Sequence, residues 1–166
     1  MKASAAFAFA RVGDNQRAET LINQAGQQSP LNLLLNKLSL PAARAAVSLH
    51  QNDPAAAIQE LEPSIPYDLA ANSSFITLYL RGLAYLGNGS ANEAVAQFQR
   101  VIDHRGTEPT SLYWSLAHFQ LARTYAKTGD LDKSQAKYRE FLALWKDADP
   151  DIPILKEAKA EYAKLQ

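Results

Sequence analysis

The stretch "LARTYAKTGDLDKSQAKYREFLALW", residues 121–145, has a Gly-Asp at its centre and no cysteine or histidine. Glycine enters the left-handed conformation without a Cβ clash, so Gly129 ends a helix. Asp130 then offers a carboxylate to the free N–H groups of the next one. Apolar and small residues stand at helical spacing on both sides of this stop. The stretch therefore predicts two short helices folded back on each other at Gly129-Asp130.

The same punctuation recurs along the chain. Gly13-Asp14, Asn52-Asp53 and Gly89-Ser90 precede Gly129-Asp130 at spacings of 39, 37 and 40 residues. Pro54 follows Asp53 as a first-turn proline, and Ser90 with Glu93 reads as a capping box. The packing residues keep the same register. Five residues after each Gly or Asn stands a small residue, Ala18, Ala57, Ala94 or Ser134, and four further on Ile22, Leu61, Phe98 or Tyr138. Seven residues before each turn are Ala6, Ala45, Gly82 and Ala122, followed three later by Phe9, Ser48, Tyr85 and Tyr125. Small residues let the two helices of a hairpin approach, and the large ones fill the space beside them.

This pattern resembles the tetratricopeptide repeat (TPR), a helix–turn–helix unit of about 34 residues. It implies an all-α fold: a right-handed α-α superhelix of about four hairpins and a C-terminal capping helix. One domain over 1–166 is expected, with repeats at 3–30, 38–70, 73–106 and 110–148 and a cap at 151–166. The sequence departs from the family pattern in three ways, the first being that the closing proline survives only as Pro30. Lys2, Pro41, Leu78 and His118 stand where the first helix usually has tryptophan, and the periods exceed 34 by three to six residues. A narrower resemblance is carried by "LPAARAAVSLHQNDPAAAIQELEPSIPYDL", "YLRGLAYL", "DHRG" and "FLALWKDADPDIPILKEAKAEYAKLQ". These are similar to the C-terminal repeat region of acidobacterial signalling proteins bearing a serine/threonine kinase or winged-helix domain. That resemblance implies a sensory or assembly region, cytoplasmic or, beside a membrane-anchored kinase, extracytoplasmic. No glycine-rich loop, His-Arg-Asp or Asp-Phe-Gly motif is present, so no kinase activity is expected of this chain.

Composition narrows the function classes. Lys plus Arg and Asp plus Glu are both 17, a zero net charge that argues against nucleic acid as a partner. The absence of cysteine removes disulfides, thiolate metal sites and cysteine nucleophiles. No stretch reaches the roughly 18 apolar residues of a membrane span. The apolar run Ala3–Ala10 has eight residues and is closed by Arg11, short for a signal peptide. It reads instead as a helix cut from a longer protein.

Helices are expected near 3–12, 15–28, 31–51 with a bend at Pro41, 54–64, 73–87, 91–104, 110–128 and 131–147. A last helix follows "DADPDIP", capped by Asp149 or Asp151. Its residues Ile152, Leu155, Ala158, Tyr162 and Leu165 share one face. A terminal repeat needs such a cover over its last apolar surface.

Chemical sites are sparse. His50, His104 and His118 lack metal-ligand spacing, and Asp147, Asp149 and Asp151 do not fill a calcium loop. Asn72-Ser73-Ser74 and Asn88-Gly89-Ser90 match glycosylation acceptors, a common triplet. No nucleophile–base pair is recognisable, so neither catalysis nor a metal or cofactor is expected.

The expected function is protein–protein contact through the face lined by the first helix of each hairpin. The groove positions are Phe7, Arg11, Ala42, Ala46, Leu49, His50, Ile76, Tyr79, Leu83, Leu86, Phe119, Arg123 and Lys127, and Tyr79, Leu83 and Leu86 form an apolar stripe among them. Either the chain covers that stripe itself or a partner's peptide or helix does. Arg123 and Lys127, one turn apart, do not make a clamp for an acidic terminus. The rival reading is a homo-oligomerisation module that uses the stripe or the N-terminal end.

Overall fold

The computed structural model describes residues 1–70 and 74–166, so Asn72 of the first glycosylation triplet and the expected helix start at 73 lie outside it. The described residues form nine α-helices and no strand. They are α1 (Lys2–Arg11), α2 (Asn15–Gln28), α3 (Leu40–His50), α4 (Pro54–Leu61) and α5 (Ile76–Gly87). α6 (Ala91–Asp103), α7 (Leu112–Thr128), α8 (Leu131–Leu144) and α9 (Pro153–Ala163) follow. Consecutive helices pack in pairs, α1 on α2, α3 on α4, α5 on α6 and α7 on α8. The second helix of each pair also packs on the first of the next, and α9 packs on α8.

The four expected turns fold as the residue types require. Gly13, Gly89 and Gly129 adopt φ of 85°, 82° and 83°, and Asn52 adopts 60°. Asp14, Asp53 and Asp130 accept hydrogen bonds from the N–H groups of Arg17, Ala56 and Lys133. Ser90 heads α6 but its hydroxyl makes no cap bond, so the expected Ser90–Glu93 box does not form. Nor does an aspartate cap α9. Ile152 stands at that position, and Asp149 instead accepts from the N–H of Asp151 at 2.8 Å.

Pro41 acts one turn earlier than a simple bend. It has no N–H to give the carbonyl of Lys37, and the chain runs through a π-helical turn at Leu35–Ser39 before α3. The second hairpin also ends early: α4 stops at Leu61 and a 3-10 turn spans Glu62–Tyr67, with prolines at 63 and 66.

Within the pairs, Ala6, Ala18, Ala45, Ala57, Ala94, Ala122 and Ser134 are all fully buried, and Ile22, Leu61, Phe98 and Tyr138 are at most 2 % exposed. Three cores result, the third shared by the last two hairpins and α9. Ala6, Ala18, Ile22 and Ala43 belong to the first, and Ala45, Leu61, Leu80 and Ala84 to the second. Phe75, Phe98, Phe119, Tyr138, Phe141 and Leu155 belong to the third. As expected, α9 buries Leu155 and Ala158 against this last core, with Ile152, Tyr162 and Leu165 packed at its edge.

One polar cluster was not anticipated. Arg81, 3 % exposed among the buried residues of α5, holds Asp68 through Nη1 to Oδ2 at 2.7 Å and Nη2 to Oδ1 at 3.1 Å. Nη2 also donates to Ser64 Oγ and the carbonyl of Leu61, and Nη1 to Gln97. Thr77 donates its hydroxyl to Asp68 at 3.0 Å. The cluster ties the 3-10 turn after the second hairpin to both helices of the third. Removing one partner of such a buried pair typically costs about 3–5 kcal/mol, because the other charge stays behind unpaired.

The approach of α5 to α6 leaves no room for a side chain where Gly82 meets Phe98. A Cβ built on Gly82 would stand 2.5 Å from Phe98 Cε1, and that ring is fully buried. Gly82→Ala is therefore expected to lower stability by about 1–3 kcal/mol despite alanine's better helix propensity. Gly106→Ala, with nothing within 4 Å of the new methyl, serves as the control in thermal melting. An unchanged midpoint for Gly82→Ala would show that the α5–α6 crossing is looser than described.

Candidate functional site

The first helices of the hairpins, α1, α3, α5 and α7, lie side by side in a row. Their shared face carries two neighbouring clefts. One, of about 260 Å³, is bordered by Arg11 of α1, Leu49 and His50 of α3, and Tyr79 and Leu83 of α5, over a floor that includes Ala10 and Ala46. The other, of about 240 Å³, is bordered by Phe7, Ala42, Ser74 and Ile76. The small residues at 10, 42 and 46 keep the space open, since any longer side chain there would fill it.

Arg11 is the one charged residue among the described residues that border these two clefts. Arg11 is exposed, with its guanidinium 6.0 Å from the Phe7 ring centroid, and among the described residues no carboxylate lies within 4 Å of it. Tyr79 is 5 % exposed, with its ring 5.8 Å from Phe98 and 5.2 Å from Tyr113, and its hydroxyl accepts from Gln120 at 3.2 Å. Burial pushes the Tyr79 phenol up from its ordinary value. The Gln120 hydrogen bond and the charges of Arg11 and Arg123 oppose that rise.

The other end of the row is neutralised from within. Arg123 Nε and Nη2 donate to Glu161 at 2.9 and 2.6 Å, and Nη2 donates to Glu157 at 2.8 Å. Tyr138 donates its hydroxyl to Glu161 at 2.7 Å. The guanidinium lies 4.1 Å from the Phe119 ring centroid. Thus α9 brings two carboxylates to the cation that sequence alone left open to a ligand. Lys127 donates to the carbonyl of Leu86 at 3.3 Å, joining α5 to α7.

Of the expected groove positions, Arg11, Leu49, Tyr79 and Leu83 converge on one cleft and Phe7 and Ile76 on the next. Leu86 and Lys127 border neither. Phe119 is a correction: it is fully buried, stacked 5.1 Å from Phe141 and roofed by Arg123, and cannot touch a partner. Tyr79 also serves the core more than the surface. His50, an expected groove position of the second hairpin, lines the cleft with Ala46 and Leu49, and a side chain on Gly13 would meet its imidazole at 2.5 Å. The lone arginine inside "LYLRGLAYL" was the readable sign of the Arg81 cluster, because an isolated charge amid apolar residues needs a buried partner.

The remaining histidines have local surroundings. His104 Nδ1 lies 2.8 Å from the carbonyl of Arg100. His118 is buried against Trp114, with Nδ1 2.7 Å from the Glu140 carboxylate. Burial lowers its pKa, while Glu140 pulls the other way. Among the described residues, no three His, Asp or Glu are placed to hold a metal ion, and no helix is long and apolar enough to cross a membrane.

Comparison of the chain with protein-family models, curated proteins and solved structures gives no match.

The Arg123 contacts make the docking of α9 pH-dependent. Hydrogen bonding from Arg123 holds the Glu161 carboxyl below its ordinary value of 4.5. Its contribution is complete above that pH and is lost as the pH falls through the lowered folded value. The melting temperature is expected to drop over that acid range, and Glu161→Gln to flatten this part of the profile. Identical acid profiles for the two proteins would show that the ion pair does not hold α9.

Proposed function

We propose that the chain is a non-catalytic TPR-like scaffold, a right-handed superhelix of four hairpins. It holds a protein or peptide partner on the face formed by α1, α3 and α5. A single observation carries the reading: Arg11, Leu49, Tyr79 and Leu83, from three separate hairpins, meet at one cleft. An extended segment laid across such a row meets pockets from successive helices, and its apolar side chains find Phe7, Leu49, Ile76 and Leu83. The exposed Arg11 favours a carboxylate in the partner and gives orientation and salt-sensitive association more than raw affinity. The zero net charge argues against nucleic acid. By its resemblance to acidobacterial repeat regions, the chain serves as the sensory or assembly part of a bacterial signalling protein, such as one bearing a serine/threonine kinase.

Selection from a random-peptide library tests this reading. Bound peptides are expected to share apolar residues and an acidic one. Arg11→Glu combined with Leu49→Gln is expected to weaken them by at least tenfold, about 1.4 kcal/mol, with little change in melting temperature. Both positions lie at the surface or half-buried, so the fold should tolerate the change. Peptides whose binding ignores this pair, or no enrichment at all, would refute the groove.

A further inference from the structure

His118 is the one histidine of the chain folded into the interior, 6 % exposed, while His50 and His104 stay at the surface. A buried histidine ordinarily spends both ring nitrogens on hydrogen bonds. This one does not. Nδ1 lies 2.7 Å from Glu140 Oε2, an oxygen that already accepts from Lys137 Nζ at 2.8 Å. Nε2 has no hydrogen-bond partner among the described residues, and neither has Trp114 Nε1, whose ring meets the imidazole at 5.0 Å and 77°. With its proton on Nδ1, toward the carboxylate, the neutral ring leaves only a lone pair idle at Nε2. The charged ring would bury a second N–H with no acceptor, and a buried donor without a partner is costly.

The charges around the ring oppose that second proton. Lys137 of α8 and Arg105 of the 3-10 turn Arg105–Thr107 are cations facing it, against the single carboxylate of Glu140. The other helices packed on α7 do not redress this balance. On α5 the one charged residue, Arg81, is held by Asp68. On α6, Arg100 reaches Asp68 at 3.6 Å, Asp103 accepts from Gln99, and Glu93 stands in the first turn, at the far end. Burial and the two cations hold the imidazole below its ordinary 6.5, with Glu140 pulling upward.

The cover over this group is lightly secured. The turn Arg105–Thr107 buries no residue of its own, and it lies on the site through the Arg105 guanidinium, 4.0 Å from the Trp114 ring centroid. The next residue, Glu108, accepts from the N–H of Phe75 at 3.1 Å, so the same segment is tied to the head of α5. We propose that His118 is an acid-operated latch on this segment: the neutral ring lets the turn close over Trp114, and the charged ring opens it to reach water. The opening is local, because Phe119 keeps α7 joined to α8 through Tyr138 and Phe141. It slackens the Glu108 tie to α5, the helix that carries Ile76, Tyr79 and Leu83. Because the folded value is lowered, the stability this group contributes is complete above 6.5 and is lost as the pH falls from there through the folded value. The loss begins above the acid range of Glu161, whose ordinary value is 4.5.

Trp145→Phe leaves Trp114 as the only tryptophan and so as the reporter. An imidazolium against an indole quenches its emission. Acid titration is expected to dim Trp114 in one step centred below 6.5, with amide-exchange protection falling at 104–114 and not in α1 or α2. His118→Gln should abolish the step, whereas His104→Gln, on the same segment, keeps it. Arg105→Gln, at an exposed position, removes a cation from the ring and should move the step upward, which keeps the test decisive if His118→Gln fails to fold. A step that survives His118→Gln, that Arg105→Gln leaves in place, or that lies at 6.5 or above in the parent overturns the latch. Dimming with protection at 104–114 unchanged overturns it as well, since the proton then enters without opening the turn.

Discussion

Everything in this fold depends on pairs of helices crossing closely enough that one side chain must be nearly absent. At Gly82 the constraint is absolute, because even a methyl would stand 2.5 Å from the Phe98 ring. At Ala6, Ala45 and Ala122 it is relaxed to a methyl, which lies fully buried. The same crossings dictate the left-handed residues at 13, 52, 89 and 129, since a helix that must return on its neighbour cannot leave its axis gradually. Aromatic bulk in the third and fourth pairs follows from the same logic. Where the backbones touch, Phe98, Phe119, Tyr138 and Phe141 fill the wedge on either side.

Close crossings fix each pair, but they do not fix how one pair sits on the next. Between the second and third pairs that task falls to Arg81 and Asp68. Their two-pronged contact is directional, and it reaches across the irregular segment that follows α4. Apolar packing alone would let such a segment slide, since burial is proportional to area and indifferent to angle. The guanidinium admits one arrangement of Leu61, Ser64, Asp68 and Gln97 around it, and so sets the angle at which the long link enters.

Most of the helical layout was legible in the sequence, because periodicity and punctuation are local. Gly-Asp turns, capping aspartates and columns of small residues each act within about one turn of helix. What escaped was long-range or conditional. Ser90 has the right neighbour in Glu93, yet a cap bond depends on a rotamer that sequence does not encode. Phe119 satisfied the spacing for the open face, but Phe141, which stacks on it, comes from the next helix, and Arg123, one turn on, is held over the ring by carboxylates of α9. For the same reason the carboxylates on Arg123 were invisible: Glu157 and Glu161 look like the solvated side of a terminal helix until α9 folds back. Arg11, Leu49 and Leu83 were found because cleft-facing positions on the inner helices follow the same repeat as the core.

The two ends of the row are electrostatically unlike, and that difference follows from what caps each end. At the C-terminal end α9 supplies Glu157 and Glu161, so Arg123 is satisfied and the row closes as a neutral edge. At the other end Arg11 meets an aromatic ring and no described carboxylate within 4 Å. Under the proposed function, an extended partner entering between α1 and α5 would meet a gradient rather than a uniform surface, its acidic group drawn toward Arg11 and its apolar residues toward Leu83. Tyr79 is held by Phe98, Tyr113 and Gln120, so this part of the cleft is already packed, which under the same proposal would leave little ordering cost to binding.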